Sequence, residues 1–292
     1  MVRPLLRLHF RRPPDPPVST ITSESAASDV DPESSFYRDV LHVLDASAVP
    51  VLVGGAYALA AYTGIERRTK DLDLFLRRAD YERAVRALAA AGYDTELKFP
   101  HWLGKVHAGP YFVDLIFDSG NGLTHVDDAW FEHAVDADVL GVNAKIVPVE
   151  EMIWSKSFLM ERERYDGADV AHLLQACADR LDWSRLLERM GPNWRVLLSH
   201  LVLFGFVYPA ERARIPAWVM NQLLDRLRDE ISAPAPSVDV CRGTLVSREQ
   251  YLHDVQREGY TDGRLPPSGT MSAEDIASWT DAIAESRTEA HG

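Results

Sequence analysis

Three aspartates carry the most distinctive chemistry in this sequence. Asp71 and Asp73 are separated by one residue, and Asp114 stands alone in the apolar run Phe112–Phe117. Alternate residues of a strand point to the same face of a sheet, so Asp71 and Asp73 are expected to project together. Carboxylates this close repel each other unless a cation lies between them. Because hard divalent cations take oxygen ligands, the pattern predicts an Mg2+ site formed by Asp71, Asp73 and Asp114.

Each carboxylate also has an ordinary structural interpretation. The run Asp71–Phe75 fits an amphipathic strand with one face in water, and Asp114 fits an edge strand or a salt bridge to an arginine. Burying a lone carboxylate in an apolar run is costly unless it is paired or binds metal. The ordered combination of a glycine turn, a short helix, two paired aspartates and a later strand aspartate favours the metal site.

A glycine pair, Gly54-Gly55, follows a short apolar strand and precedes an alanine-rich segment. Amides at a helix N-terminus attract phosphate oxygens, and the absence of side chains lets phosphates approach closely. An ordinary strand-to-helix turn would explain the pair equally well. Neither the P-loop pattern nor the dinucleotide-binding glycine pattern is present.

The spacing of apolar residues predicts the elements that position these side chains. Strands are expected at residues 51–53, 71–76, 93–99, 102–107 and 111–117, with one more just before Pro148. Helices between these strands are expected at residues 36–46, 56–62 and 80–91. Later helices are expected at residues 150–163, 166–178, 182–190, 193–206 and 216–230, with short ones near 247–256 and 273–285.

These elements predict an α/β (α+β) fold in which a small mixed sheet precedes an all-α helical domain. The sheet domain is expected to span residues 36–148, and the helical domain residues 149–231. Residues 1–35, with several prolines and serines, are predicted to be a disordered extension. Residues 232–292 are predicted to be an irregular C-terminal tail with short helices.

Composition narrows the possible functions. The 292-residue chain is 46% hydrophobic and carries a formal net charge of -13. A hydrophobic content this high argues against global disorder. General DNA binding is not expected, because phosphate binding depends on Lys and Arg. The two cysteines lack a pairing pattern, which favours a reducing, cytoplasmic location. No apolar run reaches the roughly 20 residues that span a bilayer, so no membrane partner is expected.

Three motifs taken in chain order resemble the nucleotidyltransferase fold superfamily. They are Val53–Ala56, Arg68–Phe75 and Val113–Leu115, and the resemblance covers roughly residues 36–178. In detail the motifs are similar to those of bacterial stand-alone nucleotidyltransferases. These include the aminoglycoside nucleotidyltransferases and the nucleotidyltransferase toxins of abortive-infection systems.

The resemblance implies transfer of an NMP from an NTP to a hydroxyl acceptor, with release of pyrophosphate. It implies that Asp71 and Asp73 bind Mg2+, and that Asp114 binds metal or acts as the base. Three carboxylates can hold two ions, which can clamp the attacking and leaving oxygens. Gly54 and Gly55 would contact the phosphates of the nucleotide.

Basic residues complete the predicted nucleotide site. Arg68 and Lys70 precede the aspartate strand and could neutralise a triphosphate, although a solvated charge run is an equal explanation. The resemblance implies that Lys156, on the first helix after the sheet domain, reaches the phosphates. Two features depart from the family pattern. The second glycine, Gly55, is often a serine in the family, and the gap from Gly55 to Asp71 is slightly longer than usual.

The acceptor is not identified by any motif. A small molecule, a tRNA end and a protein side chain all remain open, and so does a partner protein encoded in the same operon. Residues near a predicted hairpin could line the acceptor site: His101, Trp102, Lys105 and His107. The alternatives to an enzyme are an inactive nucleotidyltransferase-like module that binds nucleotide or a partner, and a toxin of a toxin–antitoxin pair.

Overall fold

The computed structural model describes residues 31–289. Most of the predicted N-terminal extension therefore lies outside the described residues. The first helix, α1, spans Pro32–Ala46 and begins earlier than the predicted start at residue 36. Proline suits the first turn of a helix, because its fixed φ matches the helix and its missing N–H would have no partner there.

Seven strands of the described chain form one mixed sheet in the order β3-β4-β5-β2-β1-β7-β6. Their bounds are β1 Leu52–Val53, β2 Asp71–Phe75, β3 Asp94–Phe99, β4 Leu103–Ala108, β5 Tyr111–Ile116, β6 Val135–Val139 and β7 Val142–Ile146. The pairs β2–β5 and β1–β7 are parallel, and the other pairs are antiparallel. The parallel β2–β5 pair places the two aspartate-bearing strands side by side.

Helices surround this sheet and dominate the later half of the chain. In the earlier half they are α2 Gly55–Thr63, α3 Tyr81–Ala90 and α4 Asp128–Glu132. They continue with α5 Val149–Ser157, α6 Gly167–Cys177, α7 Trp183–Met190, α8 Trp194–Val207, α9 Ala217–Ser232, α10 Leu252–Gln256 and α11 Ala273–Glu289. Two short strands, β8 Val240–Cys241 and β9 Thr261–Asp262, pair in parallel as a second sheet. The predicted fold class, a mixed sheet followed by helices, is confirmed.

The two faces of β2 have different roles. Leu72 and Leu74 are fully buried in the main core. On the same side of the molecule, α1 packs against α3 and contacts β5 and β7. Asp71, Asp73 and Phe75 alternate with the leucines and therefore lie on the opposite face. Each buried leucine contributes about 1.5–3 kcal/mol to folding, which fixes the register and keeps the aspartates on the other face.

Helix α5 ends at Ser157 rather than at the predicted residue 163. The chain turns because the amide of Met160 donates to the carbonyl of Val246, at 3.0 Å, in the C-terminal segment. The amide of Asp166 closes the loop by donating to the carbonyl of Leu159, also at 3.0 Å. These partners are distant in sequence or lie across the loop, so helical periodicity could not indicate the helix end.

Two elements before Pro148 were not predicted. The sequence indicated one strand there, whereas β6 and β7 form a hairpin preceded by the short helix α4. The hairpin turns at Leu140 and Gly141, which both have positive φ. Pro148 itself separates β7 from α5, at the position where the domain boundary was predicted.

The C-terminal residues pack against the sheet domain. Trp279 of α11 contacts Phe99 edge to face, with ring centroids 4.8 Å apart, and lies 5.2 Å from Trp102. These rings and Ile116 belong to a small apolar cluster separate from the main core. The amide of Asn121 donates to the carbonyl of Leu245 at 2.6 Å. Within residues 31–289, none of the helices combines the length and the apolar character required to cross a membrane.

Candidate active site

The structure brings Asp71, Asp73 and Asp114 together on one face of the sheet. Asp73 of β2 lies directly opposite Asp114 of the parallel strand β5, and Asp71 lies opposite Phe112. One carboxylate oxygen from each aspartate lies within 4.8 Å of the other two. In the part of the chain that the structure describes, this is the one group of acidic, histidine or cysteine side chains with metal-binding spacing. We call these three residues the carboxylate cluster.

Of the three aspartates in the carboxylate cluster, Asp73 lies in the least favourable environment for a negative charge. Burial, together with the neighbouring charges of Asp71 and Asp114, raises the pKa of Asp73 to about 7. The positive charges of Arg164 and Lys156 act in the opposite direction but do not compensate. A bound cation would supply the missing compensation, since opposite charge favours the ionised carboxylate.

Asp114 has a cationic partner on the adjacent strand. Lys105 of β4 lies opposite Asp114, and its Nζ is 2.5 Å from Oδ1 of that carboxylate. The same ammonium lies 3.9 Å above the centre of the Phe112 ring. Burial still raises the pKa of Asp114, although Lys105 lowers it. Lys105 was expected near the acceptor, and its contact with Asp114 places it at the carboxylate cluster itself.

Thr69 orients the remaining carboxylate. Its hydroxyl donates to Oδ1 of Asp71 at 2.5 Å. Sequence reasoning did not identify Thr69, because a threonine two residues before a strand carries no distinctive signal. Such supporting hydrogen bonds fix the orientation of a ligand side chain and tune its affinity for metal.

The glycine pair approaches the carboxylate cluster so closely that side chains are excluded. The amide of Gly54 donates to the carbonyl of Asp73 at 2.9 Å. A Cβ on Gly54 would lie 2.3 Å from Cε2 of Phe75, and one on Gly55 would lie 1.8 Å from Oδ2 of Asp73. Gly55 also has a φ of +54°, which favours glycine. The start of α2 is thereby held against Asp73, and a serine at residue 55 would displace that carboxylate.

Lys156 lies between two further carboxylates. Its Nζ is 2.9 Å from Oδ2 of Asp166 and 2.8 Å from Oδ2 of Asp169. Arg67 also pairs with Asp169, and Arg164 donates to Asp166 at 3.2 Å. Asp166 stands at the N-cap of α6 but accepts no capping hydrogen bond there. Both aspartates therefore hold the Lys156 ammonium in ion pairs.

Arg164 is a candidate functional residue that sequence reasoning missed. It lies in the loop between α5 and α6, and its side chain is 67% exposed. The negative charges of Asp166, Asp73 and Asp71 raise its pKa. The guanidinium is therefore within electrostatic range of the carboxylate cluster, while its hydrogen bonds go to Asp166. Its only sequence signal was membership of a run of charged residues, which is uninformative without the fold.

Arg68 and Lys70 are both exposed on the segment that leads into β2. In the described structure, no hydrogen bond or ion pair joins either of them to the carboxylate cluster. Their predicted contact with nucleotide phosphates stays a prediction. His101 and Trp102 contact Trp279 of α11, and their expected role near the acceptor stays a prediction.

The site combines acidic residues on a mixed sheet with a glycine turn at the start of a helix. Residues 35–201, more than half of the chain, match the protein family described as "Uncharacterised nucleotidyltransferase". The chain belongs to this nucleotidyltransferase family. The matched region contains the carboxylate cluster, the glycine pair and Lys156.

Solved structures show low overall similarity to this chain. The solution structure of the antibiotic-resistance factor ANT(2'')-Ia has a TM-score of 0.41 at 16% identity, covering 57% of this chain and 94% of that one. The lincomycin-bound lincosamide antibiotic adenylyltransferase LnuA has a TM-score of 0.36 at 13% identity, covering 49% and 96%. JHP933 from Helicobacter pylori has a TM-score of 0.34 at 11% identity, covering 70% and 99%. A comparison with curated protein sequences gives no match.

Proposed function

We propose that this protein is an Mg2+-dependent nucleotidyltransferase that moves an NMP from an NTP to a hydroxyl acceptor. The observation that carries the proposal is the convergence of three carboxylate oxygens within 4.8 Å of one another. They converge beside a glycine pair that leaves no room for side chains. Membership of the nucleotidyltransferase family supports the same reaction class.

The residues present fit Mg2+. Oxygen-only donors suit a hard cation, and Asp71, Asp73 and Asp114 offer three carboxylates in one place. The raised pKa of Asp73 reflects its burial and, in addition, the negative charges of Asp71 and Asp114 beside it. One or two Mg2+ ions held by these aspartates would neutralise charge on the triphosphate and on the departing pyrophosphate.

The glycine pair and nearby cations would position the triphosphate. Gly54 and Gly55 open α2 next to Asp73, and helix N-termini favour phosphate oxygens. Lys156 is only 12% exposed and holds two aspartates, so it would act on the phosphates mainly through its charge. Arg164 is far more exposed, and it could turn from Asp166 to contact a phosphate directly. The predicted contribution of Arg68 and Lys70 requires the segment before β2 to close over the nucleotide.

In the proposed reaction, the acceptor oxygen forms a bond to the α-phosphorus as the bond to the β-phosphate oxygen breaks. Pyrophosphate leaves with that electron pair, and the hydroxyl proton passes to a base. Asp114 fits two roles, because it can act as the third metal ligand or as the base that accepts this proton. Its raised pKa and its position opposite Asp73 are compatible with both.

The acceptor class stays open between a small molecule, a tRNA end and a protein. The net charge of -13 disfavours an extended nucleic acid. An intact carboxylate cluster favours an active enzyme over an inactive binding module. A toxin would use the same chemistry and differ only in its acceptor, and the cytoplasmic location stays a prediction.

Label transfer tests this function. The purified protein is incubated with Mg2+, each of the four α-phosphate-labelled NTPs, and separate small-molecule, tRNA and protein fractions of a cell extract. We expect label to enter one fraction together with pyrophosphate release, and both signals to disappear in Asp71→Asn/Asp73→Asn. The exposed variant Asp136→Asn is the matched control, because it removes one carboxylate away from the site. Transfer that is equal in the double variant and the wild type would refute the proposal.

A further inference from the structure

A second candidate site lies between the loop after β5 and the C-terminal segment. It is a pocket of about 390 Å³ that none of the carboxylate cluster lines. The residues that the argument uses are His101, Asp118, Leu123, His125, Met271 and Asp275. Asp118 follows β5 by two residues and lies four residues beyond Asp114. Four extended residues span at most roughly 13 Å, and the last two residues of this stretch form a bend after β5.

Two carboxylates line the pocket, and they come from different segments of the chain. Asp118 belongs to the loop after β5, whereas Asp275 belongs to α11. No lysine or arginine is among the described residues that line the pocket. His125 lies 3.4 Å from Asp118, but its side chain is 62% exposed. An occupant with positive charge at two points would complement these two carboxylates.

His101 is buried at this pocket without a hydrogen-bond partner. Its side chain is only 9% exposed, and neither ring nitrogen makes a hydrogen bond of good geometry in the described structure, although the backbone of Gly120 lies nearby. The nearest carboxylate oxygen, from Asp275, is 3.7 Å away. Burial lowers the pKa of His101, so the ring is neutral near pH 7 and offers one donor and one acceptor. Buried polar groups are normally satisfied, so an unpaired imidazole here points to a missing ligand.

A single metal ion does not fit this pocket. Apart from the carboxylate cluster, no three acidic, histidine or cysteine side chains in residues 31–289 have ligand atoms within 4.8 Å of one another. The lining also includes the apolar side chains of Leu123 and Met271. Methylene groups between two charged ends would lie against such surfaces.

We propose that this pocket binds an aliphatic polyamine, whose ammonium groups pair with Asp118 and Asp275 and whose methylenes contact Leu123 and Met271. His101 accepts a hydrogen bond from one ammonium. The ligand bridges the loop after β5 and α11, so its binding stabilises the contact of the C-terminal segment with the sheet. This site is separate from the carboxylate cluster and does not depend on the proposed transfer reaction.

Isothermal titration calorimetry on the full chain tests the site. Putrescine and spermidine are the probes, and 1,4-butanediol is the neutral control with the carbon chain of putrescine. The variants Asp118→Asn and Asp275→Asn remove one charge each and keep the hydrogen-bonding oxygen. Asp136→Asn is the matched surface control, and Asp71→Asn/Asp73→Asn reports any binding of the amine at the carboxylate cluster. Circular dichroism verifies that each variant is folded.

We expect both amines to bind the wild type, butanediol not to bind, and each pocket variant to weaken binding by at least about tenfold. Asp136→Asn and the double variant should bind like the wild type. Hydrogen exchange of residues 270–283 should slow on addition of spermidine. The proposal is overturned if neither amine binds, if Asp275→Asn and Asp118→Asn leave affinity unchanged, or if only the double variant loses binding.

Discussion

Replacing Asp73 with asparagine should stabilise the metal-free protein at pH 8. Asparagine has nearly the same shape and carries no charge, so it removes the repulsion from Asp71 and Asp114. A rise in pKa from 3.8 to about 7 corresponds to about 4 kcal/mol between the two protonation states. This is the largest gain that the substitution can give, because the neighbouring carboxylates adjust when Asp73 is neutral.

The sign of the pH dependence follows from linkage. The pKa of Asp73 is raised in the folded state, so the protein has its full stability from this group below pH 3.8 and loses it as the pH rises to about 7. Wild type and Asp73→Asn should therefore be similar at pH 4. As the pH rises, their free energies of unfolding should diverge by up to about 1.4 kcal/mol per pH unit. The difference should become constant above pH 7.

Urea unfolding in EDTA, measured from pH 4 to pH 8, provides the test. Asp136→Asn is the control, since Asp136 is exposed and pairs only with Lys145 in the described structure. Added Mg2+ should make the wild type more stable than Asp73→Asn at pH 8, because the ion stabilises only a protein that binds it. The reasoning fails if Asp73→Asn is no more stable than wild type at pH 8, or if its advantage is the same at pH 4.

Three further substitutions probe the surroundings of the carboxylate cluster. Lys105→Met removes the cation 2.5 Å from Asp114, so Mg2+ should bind more tightly in a calorimetric titration at pH 8; weaker binding would contradict the assigned contact. Arg164→Ala should weaken MgATP binding roughly tenfold without weakening Mg2+ binding. If the affinity for Mg2+ changes and that for MgATP does not, Arg164 does not contact the phosphates. Gly55→Ala should abolish Mg2+ binding, because its Cβ would lie 1.8 Å from Oδ2 of Asp73. Gly109→Ala has a similar φ of +61° and open space around it, so it should cost about 1–2 kcal/mol of stability and keep Mg2+ affinity; equal loss of Mg2+ binding in both variants would show that strain rather than contact is responsible.

The alternation of residues within β2 was sufficient to predict that Asp71 and Asp73 lie on one face of the sheet. Leu72 and Leu74 must be buried, so the register of β2 and the facing of its aspartates follow from a pattern of period two. Pairing of β2 with β5 was a further assumption, and the structure places Asp73 directly opposite Asp114. The glycine turn was also recognisable, because glycines between a strand and a helix are a local signal.

The contacts of the cations were not predictable in the same way. Lys105 reaches Asp114 because β4 pairs with β5 in one particular register. Arg164 comes within electrostatic range of Asp71 and Asp73 because α5 ends at Ser157 and the following loop contacts Val246, far away in sequence. Both placements depend on tertiary packing, which single-sequence periodicity does not contain. The packing of Trp279 against Phe99 is a third contact of this kind.

The central claim is that the carboxylate cluster binds nucleotide through a divalent cation. Calorimetric titration of ATP, GTP, CTP and UTP into the full chain, with Mg2+ and then with EDTA, tests it most directly. We predict that at least one NTP binds with Mg2+ and that EDTA abolishes this binding. The variant Asp71→Asn/Asp73→Asn should bind no NTP with Mg2+ or with EDTA. If folded wild-type protein binds no NTP, or binds it equally well in EDTA and in the double variant, the account of the site is contradicted.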